Sequence, residues 1–208
     1  MVKNLIFDLG GVILDLAVPQ TIIAFSRLSG LSPEIVTELF KGSDGFLAFE
    51  KGTIGEYEFR NFVRELYNVD VSDLEIDECW NAMLLSISKE KLDLLTRLKS
   101  SYRTFLLSNT NTIHLEYINE KVLRDFDGVS SLDDFFHKTY YSHLMAKRKP
   151  EPEIFLQVLE ENNLKASETL FLDDNTDNVE AARAVGLQAV YVDSPDFILQ
   201  YFHEQRTA

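Results

Sequence analysis

The chain has 208 residues with 34 acidic and 20 basic side chains, a formal charge of −14, and 45% of its residues are hydrophobic. That length and hydrophobic share accommodate one core, or a core with a smaller lobe, and exclude a disordered tail protein. With a pI near 4.7 and no basic run longer than Lys147-Arg148-Lys149, the chain lacks the positive face that binding a phosphate backbone requires, so no nucleic-acid partner is expected.

The one cysteine, Cys79, cannot close an internal disulfide, and no Cys/His cluster has zinc spacing. A reducing compartment suits such a chain. Asp8 and Asp15 break the apolar runs Leu5-Ile6-Phe7 and Val12-Ile13-Leu14, so no signal-peptide core is read there. No uninterrupted apolar stretch approaches the length of about 18 residues that a membrane helix needs. The expectation is a cytoplasmic protein with no membrane contact, a monomer or weak homo-oligomer.

In chain order, Leu5 to Leu9 is the first of four short runs that are apolar on consecutive residues and end in polar groups. Thr104 to Leu107, Thr169 to Leu172 and Ala189 to Val192 are the others, with Lys138 to Ser142 as a fifth, weaker strand. Runs apolar on both faces suit strands buried in a parallel sheet. About 95 residues separate the first run from the second, far more than one crossover needs, so something is inserted. Residues 17–85 carry helix signals and no convincing strand: Ser32-Pro33-Glu34 opens one helix, and Glu56 to Leu66 presents one apolar face. Lys89 to Lys99 returns the chain to the sheet as a helix. Glu153 to Leu159 follows Pro150 and Pro152 at a helix start, and Asn178 to Val185 ends at Gly186. The predicted fold class is α/β, a doubly wound parallel sheet formed by 1–16 and 86–208, with 17–85 as a small all-helical domain.

Ligands of an open parallel sheet sit outside the carboxyl ends of its strands. At those ends stand Asp8 and Gly10-Gly11, Ser108-Asn109-Thr110, and Asp173-Asp174-Asn175, with Lys149 just before Pro150. Three carboxylates brought together repel one another unless a cation joins them, and hard oxygen ligands favour Mg²⁺. A phosphate dianion would then be held by that ion, Lys149, the Ser108 hydroxyl, and backbone N–H groups at Asn109 and the glycine turn. So neutralised, it could be attacked in line by Asp8, giving an aspartyl-phosphate that water cleaves.

Phe7-Asp8-Leu9-Gly10-Gly11-Val12-Ile13-Leu14-Asp15, Leu106-Leu107-Ser108-Asn109-Thr110-Asn111, Lys149-Pro150-Glu151-Pro152-Glu153-Ile154-Phe155 and Phe171-Leu172-Asp173-Asp174-Asn175 together resemble the four motifs of the haloacid dehalogenase-like (HAD) hydrolase superfamily. The match spans essentially the whole chain, with a Rossmann-like core and with 17–85 corresponding to the helical cap inserted after motif one. The resemblance implies Asp8 as nucleophile and metal ligand, Ser108 and Lys149 as phosphate contacts, and Asp174 as a metal ligand. It further implies that Asp173 binds the ion directly or through water and that Gly10 offers its backbone carbonyl. Asp15 matches an acidic family position and is read as structural.

One departure matters. Most family phosphatases carry a second aspartate two residues after the nucleophile, which protonates the leaving alcohol and later activates water. Here that position is Gly10, as in a subgroup of bacterial sugar-phosphate phosphatases that this sequence resembles and that shares the Asp-Asp-Asn fourth motif. Asp173 or water could serve as base instead. The expected function is therefore Mg²⁺-dependent hydrolysis of a small phosphate ester, a sugar phosphate foremost. A phosphate-binding pseudoenzyme or regulatory module is the alternative from another class. A sugar phosphomutase, which usually needs the missing acid, and a metal-free 2-haloacid dehalogenase fit less well. Phe46, Phe49, Glu50, Lys51 and Thr53, between Gly45 and Gly52, are read as a loop able to close over substrate or, nearly as well, as core or surface. Trp80 and Cys79 read as core, and His114, His137, His143 and His203 as ordinary histidines.

Overall fold

Each central strand is apolar on successive residues because both its faces are covered. A computed structural model describes residues 1–204, with β1 at Asn4–Phe7, helices α1 Val18–Ser29, α2 Pro33–Gly42, α3 Asp44–Glu50, α4 Glu56–Tyr67 and α5 Asp73–Asn81, then α6 Lys89–Ser101. β2 Arg103–Ser108, α7 Thr112–Tyr117, β3 Lys138–Tyr141, α8 Ser142–Met145, α9 Pro152–Glu161, β4 Thr169–Asp173, α10 Thr176–Ala184, β5 Gln188–Tyr191 and α11 Phe197–Glu204 complete it. The strands form one parallel sheet in the order β3-β2-β1-β4-β5, the doubly wound arrangement expected from the sequence.

The two faces of β1 lead into two cores. Leu5 and Phe7 join Leu106, Leu170 and Leu172 beneath α6 and α11, whereas Ile6 joins Phe105, Leu107 and Phe171 beneath α9 and α10. Since side chains alternate across a strand, neighbours in β1 must enter different cores. All three of these β1 side chains are fully buried, worth about 1.5–3 kcal/mol each in transfer terms. Chain order places β1 at the centre, with β2 and β3 on one side and β4 and β5 on the other, so the carboxyl ends of β1, β2 and β4 share the crevice at the topological switch.

Local signals set the helix ends. Ser32 caps α2 by accepting from the Ile35 N–H, and Asn175 caps α10 by accepting from the Asp177 and Asn178 N–H groups. Pro152 occupies the first turn of α9 while Pro150 lies in the preceding turn, so the helix opens two residues later than Pro150 alone suggests. Of the two readings of the segment around Phe46 and Phe49, the aromatics follow the core one: 44–50 is α3, not a loop, and both rings are buried in it. Phe46 lies 5.4 Å from Trp80 and Phe49 stacks on Phe59 at 4.1 Å between ring centroids. Aromatic packing over α4 and α5 offsets the weak helix propensity of Gly45. Glu50 stands at the C-terminal end of this helix. No helix among the described residues is long and apolar enough to cross a membrane.

Candidate active site

Four chain segments bring the predicted groups together. Asp8 follows β1, Ser108 ends β2, Asp173 ends β4 with Asp174 next to it, and Lys149 lies in the turn between α8 and α9. The Lys149 ammonium is buried and donates to Asp8 Oδ1 at 2.6 Å and to Asp173 Oδ2 at 2.7 Å. Asn109 holds that lysine by its backbone: its Oδ1 accepts from the Lys149 N–H at 2.9 Å, and its Nδ2 donates to the Lys149 carbonyl at 2.9 Å. The Asn109 side chain is therefore committed to Lys149, leaving only its main chain for an anion. Ser108 is buried at the strand end, and its hydroxyl makes no side-chain hydrogen bond among the described residues.

Asp173 is the most enclosed of the carboxylates. Its Oδ1 accepts from the Asn175 N–H and from Asn178 Nδ2, and its Oδ2 accepts from Lys149 and again from Asn178 Nδ2. Asp8 feels burial first, which pushes its carboxyl up to about 7; Lys149 pulls the other way and the neighbouring Asp173 charge adds to the rise. Burial lowers the Lys149 ammonium, but the attraction of Asp173 and Asp8 outweighs it, so the lysine stays above its ordinary value. Asp174 is raised by burial and by Asp173.

The glycine turn shapes the remaining space. Gly11 has φ of 70°, and a Cβ there would lie 2.0 Å from Asp174 Oδ2, so only glycine lets that carboxylate settle against the turn. The Gly10 carbonyl takes no backbone hydrogen bond among the described residues. Asp15 pairs at 2.8 Å with the buried Lys91, which also donates to the Ile13 carbonyl, as a structural role requires.

Beside these groups opens a cavity of roughly 260 Å³. From the core come Gly10, Ser108 and Asn109, and from α3 and α5 come Glu50 and Trp80. His114 also lines it, although the sequence marked that histidine as ordinary. Its Nδ1 is 2.8 Å from Asn81 Oδ1 and its ring stacks on Trp80 at 4.7 Å; burial drives its pKa down to about 3. Glu50, read from the sequence as part of a segment able to close over substrate, lines the cavity, whereas its pairing with Arg148 at 3.1 Å was missed. No local pattern could have found that pair, since it joins residues far apart in sequence.

The model of the haloacid dehalogenase-like hydrolases matches residues 2–186. This chain belongs to that family. A HAD-family enzyme of Bacteroides thetaiotaomicron, crystallised with magnesium and inorganic phosphate, superposes with a TM-score of 0.84 at 38% identity, covering 92% of this chain and 94% of that one. A Porphyromonas gingivalis protein described as a HAD-like family hydrolase superposes with a TM-score of 0.89 at 31% identity over 100% and 99% of the two chains. In sequence, the D-ribitol-5-phosphate phosphatase of B. thetaiotaomicron is 29% identical over 189 residues, 90% of each protein. An L-2-haloacid dehalogenase of Xanthobacter autotrophicus, at 17% identity and a TM-score of 0.62, shares the fold alone.

The donor set of this HAD hydrolase suits a magnesium ion. Asp8, Asp173 and Asp174 each present a carboxylate oxygen within 4.8 Å of the others. Against these three negative groups the cluster holds one ammonium, so a divalent cation cancels the excess, and all-oxygen ligation favours a hard ion.

Proposed function

We propose that this HAD hydrolase is a Mg²⁺-dependent phosphatase of small phosphate esters, sugar or polyol phosphates foremost, working through an aspartyl-phosphate. The observation that carries the reading is the buried Lys149 joining Asp8 to Asp173 beside Asp174 and the unpartnered Ser108 hydroxyl. A relative of like fold crystallised with magnesium and phosphate, and another named a D-ribitol-5-phosphate phosphatase, support the same chemistry.

In this reading Asp8, Asp174 and the Gly10 carbonyl hold the ion, and Asp173, saturated with hydrogen bonds, reaches it through water. The bound ion would neutralise phosphate charge and orient the ester. Lys149 keeps one Asp8 oxygen fixed, leaving the other to attack phosphorus. Ser108 and the Asn109 N–H hold the phosphate oxygens, and Lys149 draws off the charge that builds on them in the transition state. Residues 17–85 act as the cap, bringing Glu50 and Trp80 over the leaving group. The protein works in the cytosol as a monomer or weak homo-oligomer on a small molecule, without nucleic acid.

Gly10 favours a second reading, a phosphate-binding module that no longer turns over. One experiment separates the two: phosphate release from sugar phosphates, nucleotides and p-nitrophenyl phosphate, with and without Mg²⁺, for the wild type and Asp8→Asn. Metal-dependent release that vanishes in Asp8→Asn is the expected result. Absence of release from every compound, with Mg²⁺ binding demonstrated, would transfer the chain to the binding class.

A further inference from the structure

The phosphatase reading leaves one task without a residue, the delivery of a proton to the leaving oxygen. Resting on that reading, we propose that Glu50, carried by the C-terminal end of α3, is the general acid and base of this enzyme in place of the aspartate absent at Gly10.

The usual position supplies no acid in this chain: it is Gly10, and a Cβ there would stand 2.5 Å from Leu16 Cδ1, the end of a side chain that now lies over that space. Asp173 is not free either, because both its oxygens are engaged twice by Lys149, Asn175 and Asn178. Two titratable side chains line the cavity shared with Gly10, Ser108 and Asn109: His114 and Glu50. His114 has no proton to give. Facing the Asn81 carbonyl oxygen, its Nδ1 must be the protonated nitrogen, which leaves Nε2 as a lone pair, and burial keeps the ring neutral.

Glu50 lines that cavity with one carboxyl oxygen to spare. Its Oε2 accepts from Arg148 Nη2 at 3.1 Å, and its main-chain carbonyl accepts from Ser142 Oγ at 2.6 Å. Its Oε1 has no hydrogen-bond partner among the described residues. Arg148 is the neighbour of Lys149 in the chain, so the carboxyl is tied to the same turn that positions the phosphate site. Burial raises the Glu50 carboxyl more than Arg148 lowers it, the direction a proton donor at neutral pH requires.

The chemistry balances. As an Asp8 oxygen bonds to phosphorus, the bond from phosphorus to the leaving oxygen breaks and its electron pair stays on that oxygen. The Glu50 carboxyl proton moves there, the alcohol departs, and Glu50 is left as carboxylate. In the second half, Glu50 takes a proton from water as the water oxygen bonds to phosphorus. The bond from phosphorus to Asp8 then breaks with its electron pair returning to Asp8, inorganic phosphate leaves, and Glu50 is again protonated.

Leaving-group dependence tests the assignment, because p-nitrophenolate departs without a proton and a polyol alkoxide does not. With Mg²⁺ present, kcat/KM is measured for wild type, Glu50→Gln and Glu50→Asp on p-nitrophenyl phosphate and on the fastest polyol or sugar phosphate of the panel. Glu50→Gln keeps an oxygen for Arg148; it is expected to lose about 100-fold or more on the polyol phosphate and less than about five-fold on the aryl ester. Glu50→Asp, which retains a carboxyl, recovers part of the polyol rate. Equal losses on both substrates would overturn the proposal in favour of a docking role, as would unchanged rates on both. A wild type that cleaves only the aryl ester would also refute Glu50 while leaving the phosphatase reading intact; one that cleaves neither ester would fail both.

Discussion

Lys149 Nζ and Asp8 Oδ1 are 2.6 Å apart in a site that buries both side chains. The ammonium also holds Asp173 at 2.7 Å, so among the described residues it is the one cation paired with these two carboxylates drawn out of water. Removing it leaves those charges uncompensated, a change that typically costs about 3–5 kcal/mol for a buried pair. Lys149→Met is therefore expected to lose about that much stability in EDTA at pH 7, read from urea unfolding, and to lose Asp8-dependent phosphate release. An unchanged unfolding midpoint would mean that the carboxylates are screened by solvent and that the pair is no anchor of the site.

Asp174 depends on a residue with no side chain. With φ of 70° at Gly11 and a Cβ that would fall 2.0 Å from Asp174 Oδ2, Gly11→Ala must push the carboxylate away, beyond the backbone strain of about 1–2 kcal/mol. Magnesium at a hundred times its dissociation constant should stabilise the wild type by about 2.7 kcal/mol. In Gly11→Ala that gain is expected to shrink, as it should in Asp174→Ala. Thermal unfolding across a Mg²⁺ titration measures it; an undiminished gain in both variants would remove Asp174 from the ion's ligands.

Much of this architecture is legible in local sequence. Leu5-Ile6-Phe7 and Leu170-Phe171-Leu172 are apolar at every position because each strand feeds two cores, and polar residues start where the strands leave them. Asp8, Ser108 and Asp173 could be assembled in advance since a parallel sheet directs strand ends to one side. The cavity wall was harder to read. Glycines at 45 and 52 suggested a loop around Phe46 and Phe49, whereas those rings pack on Trp80 and Phe59 and draw the segment into α3. Glu50 to Arg148, and His114 to Asn81, are side-chain pairs between separate elements; no periodicity announces them.

His114 supplies a pH dependence of known sign. Its folded pKa is near 3 and its ordinary value is 6.5, so below pH 6.5 the unfolded chain takes up a proton that the native imidazole refuses. The contribution is fully present above pH 6.5 and is lost as pH falls toward 3, at up to about 1.4 kcal/mol per pH unit for one group. Unfolding free energies at pH 7, 6, 5 and 4 for the wild type and His114→Gln should therefore converge as the solution is acidified. Parallel curves would show that the ring protonates in place, and that the neutral, Nδ1-protonated form assigned to it is wrong.

Gly10 and Leu16 allow the missing aspartate to be put back. Gly10→Asp alone brings its Cβ within 2.5 Å of Leu16 Cδ1, so the leucine end must shift to admit it. Pairing it with Leu16→Ala clears the space, for a half-buried truncation that should cost about 2 kcal/mol or less. In a Glu50→Gln background the pair of substitutions then offers a second general acid, and such help is typically worth about 10²–10⁴-fold. We expect the triple variant to regain at least about tenfold in kcat/KM on a polyol phosphate, with p-nitrophenyl phosphate almost unaffected. Rescue confined to the substrate that needs a proton would assign the same task to position 10 and to Glu50. A gain that is equal on both esters would point to altered cap packing at Leu16, and no gain on either would mean that a carboxyl at position 10 does not reach the leaving oxygen in this chain.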